Sequence, residues 1–108
     1  MKKGEMKAFP TGVGMEIPEG YELQIRSRSG LTYKHLVTML AGVGTIDADY
    51  RGELQVLLKN HGEEDFVVEP GMRIAQGIVS KCERAEWEEV EELSETERSG
   101  GFGSTGLK

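Results

Sequence analysis

Apolar and polar residues alternate over several short stretches of this chain. Tyr21, Leu23 and Ile25 alternate with Glu22, Gln24 and Arg26, the period-two pattern of a half-buried strand. Leu54, Val56 and Leu58 alternate with Gln55 and Lys59 in the same way. Phe66–Val68 and Ile74–Ser80 read as two more strands. Val37–Leu40 and Thr45–Ile46 flank Ala41–Gly44, whose two glycines suit a tight hairpin. Pro18-Glu19-Gly20, Asn60-His61-Gly62 and Glu69-Pro70-Gly71 mark turns between the runs. Ser29–His35 reads as a short helical turn. Many short strands at near-regular spacing predict an all-β sandwich, jelly roll or barrel.

The last quarter changes character. From Glu83 to Glu97 glutamate dominates, with Trp87, Val90 and Leu93 as apolar anchors. This is an amphipathic helix or an extended, solvated arm. Ser99 to Lys108 is rich in glycine and serine, and is expected to move freely until something binds it. The organisation expected is a core over residues 1–82, an acidic connecting arm over 83–98 and a Gly-rich lid over 99–108.

The bulk numbers narrow the classes. A chain of 108 residues supports one domain with a modest core. A net charge of −6 argues against non-specific nucleic-acid binding, which needs a basic surface. Cys82 is the only cysteine, so no intramolecular disulfide can form, and a reducing compartment fits best. No apolar run approaches the roughly 20 residues of a membrane span. The N-terminus is basic without an apolar signal core behind it. The expected setting is cytoplasmic, with neither nucleic acid nor membrane as partner.

Four strings carry chemistry. Gly44 to Glu53 reads G-T-I-D-A-D-Y-R-G-E. In an extended segment Asp47 and Asp49 share a face. Either is a candidate general base, or the pair is a polar turn balanced by Arg51 and Arg28. Arg28-Ser29-Gly30 joins a guanidinium, a hydroxyl and an unhindered N–H, a possible phosphate grip; it is equally a strand running into a turn. Gln76 closes G-M-R-I-A-Q and offers an amide to phosphate, or simply a polar edge. Gly100–Gly106, G-G-F-G-S-T-G, cannot build a core. It can wrap a ligand, with Phe102 free to stack, or it is a bland linker. His35 and His61 lack partners at metal-ligand spacing, so no protein metal site is expected. Trp87 and the methionines read as packing residues.

Jointly, in this order, these strings resemble the trimeric dUTPase family. The segments P-T-G-V-G-M-E-I-P-E-G-Y-E at Pro10–Glu22 and E-L-S-E-T-E-R at Glu92–Arg98 extend the resemblance over essentially the whole chain. It implies a distorted jelly roll with a flexible C-terminal arm. It is N-terminally shortened, because no alanine-glycine-x-aspartate string precedes Pro10. It implies hydrolysis of dUTP to dUMP and pyrophosphate, with Mg²⁺ held mainly by the triphosphate, and a homotrimer with shared sites. On the same resemblance Asp47 deprotonates the attacking water, and Tyr50 packs under the deoxyribose and excludes a 2′-hydroxyl. Ala41, Gly44, Thr45, Ile46 and Gln55 embrace uracil; Arg28, Ser29, Gly30 and Gln76 hold phosphates. Phe102 and Gly103 close over the base, while Arg98, Ser104 and Thr105 reach the phosphates. The alternatives are a relative that binds nucleotide or a protein partner without turnover, and a dCTP deaminase-like activity.

Overall fold

Three apolar alternations supply most of the interior. Leu23 and Ile25, then Val37 and Met39, then Leu54, Val56 and Leu58 are all buried, and with Ile17 and Phe66 they form one cluster. The computed structural model describes residues 1–103 and 106. Its elements are β1 (Met6–Pro10), β2 (Tyr21–Arg26), α1 (Ser29–His35), β3 (Val37–Met39), β4 (Val43–Ile46), β5 (Gln55–Asn60) and β6 (Gln76–Lys81).

The strands form two three-stranded antiparallel sheets, ordered β1-β5-β3 and β4-β2-β6. The central strand of each carries the strict alternation, because it is paired on both edges and buried on one face. The core draws on both sheets, the arrangement of a jelly-roll sandwich.

Three readings change. The run Val37–Leu40 and the run Thr45–Ile46 do not form a hairpin. β3 pairs with β5 and β4 pairs with β2, so Leu40–Gly42 carries the chain from one sheet to the other. Gly42 makes that bend at φ 75°, a region an L side chain disfavours. Phe66–Val68 is irregular rather than a strand. Phe66 is buried, but its backbone finds partners at the start of the chain. Its N–H donates to the Met1 carbonyl at 2.8 Å and its own carbonyl accepts from the Met1 ammonium. The strand expected over Ile74–Ser80 begins at Gln76 and runs to Lys81. Met6–Pro10, which lacks a clear alternation, pairs with β5 as an exposed edge strand.

Asn60 ties the chain's start to the end of β5. It is fully buried. Its side-chain amide donates to the carbonyls of Met1 (3.0 Å) and Glu64 (2.9 Å), and its side-chain oxygen accepts from the Gly62 N–H (2.9 Å). A buried amide with these partners avoids the desolvation penalty of an unpaired one.

Beyond Lys81 no regular element follows among the described residues. Trp87 (97% exposed) and Leu93 (86%) touch almost nothing, so neither packs within the chain as expected. The radius of gyration is 19.0 Å, against about 13 Å for a compact chain of this length, so the arm extends away from the sandwich.

Candidate functional site

Several of the candidate residues lie near the two ends of β2. At its start, β4 ends on Ile46 opposite Leu23, and the chain then turns. The Tyr50 N–H donates to the Asp47 carbonyl at 3.1 Å, closing a turn over Asp47–Tyr50. Asp47 and Asp49 are therefore not in an extended segment, yet both line the same cavity of about 560 Å³. Tyr21, Arg51, Cys82 and Arg84 share that wall. Cys82 and Arg84 are there because β6 runs antiparallel to β2, and the Cys82 N–H donates to the Gly20 carbonyl at 2.9 Å. No local motif could have placed them beside Asp47; only strand pairing does.

The turn is braced from within. The Arg51 guanidinium donates to the carbonyls of Ala48 (2.5 Å) and Tyr50 (3.4 Å). It is spent on the backbone rather than on a carboxylate, so the expected Asp–Arg balance is not formed. The Tyr50 hydroxyl donates to the Glu53 carbonyl at 2.9 Å, and the Glu53 carboxylate accepts from the Gly12 N–H at 2.9 Å. Tyr50 remains 44% exposed, so part of its ring is free for a ligand.

Gly44, Thr45 and Ile46 lie on β4, an edge strand whose outer side pairs with no strand among the described residues. A free edge offers N–H and C=O groups in the spacing a planar base edge can meet. Ala41 sits in the bend before it, where its carbonyl accepts from the Val43 N–H at 3.0 Å. Gln55 opens β5 opposite Pro10, in the other sheet.

At the other end of β2, Arg28 caps α1 in an extended conformation, and Ser29 and Gly30 begin its first turn. The first N–H groups of a helix have no partner inside it. Gln76 starts β6 opposite Arg26, and its amide donates to the Ser27 carbonyl at 3.0 Å. Gln76 and Arg28–Gly30 are thus brought together across β2 and β6. Ser27 holds the corner, its hydroxyl accepting from the Met39 N–H at 2.9 Å.

The arm joins neither end. The Arg98 side chain donates to the Gly100 carbonyl at 2.9 Å, Phe102 is fully exposed and Gly103 is exposed. Ser104 and Thr105 lie outside the described residues. Among the described residues no group of three His, Cys, Asp or Glu side chains could cage a metal. No helix there is long and apolar enough to cross a membrane.

The fold is a jelly roll whose central strand has a polar turn at one end and an Arg-Ser-Gly corner at the other, and comparison gives it a family. The dUTPase family model matches residues 1–106. The chain is 57% identical over 108 residues to the deoxyuridine 5′-triphosphate nucleotidohydrolase of Rickettsia felis, covering 99% of this chain and 73% of that protein. The Rickettsia bellii protein of the same name is 56% identical, with 72% of its length covered. A point mutant of the Staphylococcus bacteriophage 80alpha dUTPase, solved with dUpNHpp, superposes with a TM-score of 0.87 at 30% identity, covering 99% of this chain and 79% of that one. This chain belongs to the dUTPase family.

Proposed function

We propose that this protein hydrolyses dUTP to dUMP and pyrophosphate. Family membership along nearly the whole chain carries this reading, and the two ends of β2 suit it. Asp47 takes a proton from a water molecule, and the oxygen so freed attacks the α-phosphorus. The bond from that phosphorus to the bridging oxygen breaks, and pyrophosphate leaves with the electron pair. A positioned carboxylate base contributes about 10²–10⁴-fold to such a step. The free edge of β4, with Ala41 and Gln55 beside it, reads uracil. Tyr50 packs under the deoxyribose, and Arg28, Ser29, Gly30 and Gln76 grip phosphates. Arg98, Phe102, Gly103, Ser104 and Thr105 of the arm close over the nucleotide. Mg²⁺, held mainly by the substrate triphosphate as this cation commonly is, would supply charge neutralisation there.

The geometry also bears on assembly. Asp47 lies beyond the start of β2 and Arg28 just past its end. At about 3.3 Å per residue, the steps from Glu22 to Ser27 alone span roughly 16 Å. That separation supports a reading in which the two groups reach one nucleotide from different chains. The site is built between copies, Asp47 from one and the phosphate corner from another, in a homotrimer whose arm reaches a neighbour. The exposed Trp87 and Leu93 then find cover. The proposed setting is cytoplasmic, with dUTP as the partner and neither nucleic acid nor membrane.

Subunit complementation tests this arrangement. Asp47→Ala and Arg28→Ala chains expressed separately are each expected to release almost no pyrophosphate from dUTP. Co-expressed, they assemble some sites carrying both native groups, and activity returns. Two inactive chains that stay inactive together, in a verified mixed oligomer, would count against the shared site.

A further inference from the structure

The Tyr50 ring is held by more than its own hydrogen bond. It lies directly over Gly52: a Cβ at that position would stand 2.6 Å from Tyr50 Cζ and 3.0 Å from Cε1. Both distances leave no room for a methyl group. Gly52 is not among the glycines at positive φ, so its backbone does not demand glycine. The requirement comes from the ring. The Tyr50 hydroxyl, the part of the side chain nearest Gly52, is fixed to the Glu53 carbonyl. Leu54, the next residue, is buried, and its N–H donates to the Val13 carbonyl at 2.8 Å. The ring therefore rests on a backbone shelf anchored to the core, and its position relative to Asp47 is set by the same turn.

We infer that Gly52 is a positioning residue that sets the sugar selectivity of the site through Tyr50. The inference rests on the dUTP-hydrolysing reading above. A methyl group at position 52 meets the far end of a side chain, so the ring swings away rather than the fold failing. It also loses the hydroxyl's bond to Glu53. A displaced ring no longer fits against C2′ of the deoxyribose. The deoxynucleotide loses a contact that the ribonucleotide, with its extra hydroxyl, never made well.

The test compares pyrophosphate release from dUTP and UTP by the full chain, in the native protein, Gly52→Ala, Tyr50→Phe, Tyr50→Ala and the Gly52→Ala/Tyr50→Ala pair. Gly52→Ala is expected to lower the dUTP-to-UTP ratio of kcat/KM by roughly tenfold to a hundredfold, the range a single misfitted group commands in a snug pocket. Its KM for dUTP rises, and its melting temperature stays near that of the native protein. Tyr50→Phe, which frees the ring without crowding it, produces a smaller fall in the ratio. In the Tyr50→Ala background Gly52→Ala adds no further fall, because two residues acting through one contact are not additive. An unchanged ratio in Gly52→Ala overturns the inference, as does an equal fall in both backgrounds. Should Gly52→Ala fail to fold, an unchanged ratio in Tyr50→Phe overturns it instead. A native protein that releases no pyrophosphate fails the functional reading itself, and the inference falls with it.

Discussion

The turn over residues 47–53 and the arm over residues 83–103 are both polar and exposed, and both carry candidate nucleotide contacts. They are held in opposite ways. In the turn, backbone and side chains satisfy one another: Tyr50 to Asp47, Arg51 to Ala48, the Tyr50 hydroxyl to Glu53, and Glu53 to Gly12. Past Arg84, which lines the Asp47 cavity, the arm's side-chain hydrogen bonds are local, such as Arg98 to Gly100, while Trp87, Leu93 and Phe102 lie bare. A catalytic group must be placed before substrate arrives, because orientation is much of what an enzyme contributes. A closing segment must be free beforehand, so its ordering cost falls due only on binding.

Removing the proposed base from the turn is the sharpest way to break this contrast. Asp47→Ala is expected to lower kcat for dUTP by about 10²–10⁴-fold while leaving thermal unfolding in place, since Asp47 is exposed and only its backbone carbonyl bonds within the turn. Steady-state kinetics beside a melting curve check both halves. Removing residues 99–108 is expected to cost less, on the order of a hundredfold in kcat/KM, the scale on which imperfect positioning weakens a reaction. Its melting curve is expected to match that of the full chain, because the described part of this segment packs on nothing in the sandwich. A truncated protein that melts much earlier would mean the arm is part of the fold after all.

Asn60→Ala reverses the signature and has the smallest effect. Asn60 belongs to neither region but ties residues 1–5 to residues 60–66. Removing its side chain takes one hydrogen bond each from the carbonyls of Met1 and Glu64 and leaves the N–H of buried Gly62 without its acceptor. Chemical denaturation should register a loss of about 1–3 kcal/mol, with the rate constant of the folded fraction unchanged.

Much of this fold was legible along the chain. The alternation at Tyr21–Arg26 and the one through Leu54–Leu58 each found a central strand, where burial on one face forces the pattern. The helical turn at Ser29–His35 was also readable. Met6–Pro10 was not, because an edge strand exposed on nearly every residue has no reason to alternate. Phe66–Val68 misled for the converse reason. Its apolar residues reflect burial of Phe66, while its backbone is satisfied by Met1 rather than by a ladder. The residues between Val37 and Ile46 predicted a hairpin because glycines signal a tight turn but do not say which sheet the chain enters next. For the site, the strings named Asp47, Tyr50, Arg28 and Gln76 through a family resemblance. Nothing in their spacing disclosed that Arg51 is consumed by the turn, or that Cys82 and Arg84 share the Asp47 cavity.

The sequence by itself determined the all-β class, the two central strands and the family, because each is written in local alternation or in contiguous strings. Only the tertiary structure decided which strands share a sheet, that Tyr50 rests on Gly52, and that Asp47 and Arg28 stand at opposite ends of β2. Those are matters of long-range pairing. Hydrogen bonds between distant strands and the close approach of a ring to a bare backbone leave no mark on the residues next to them in the chain.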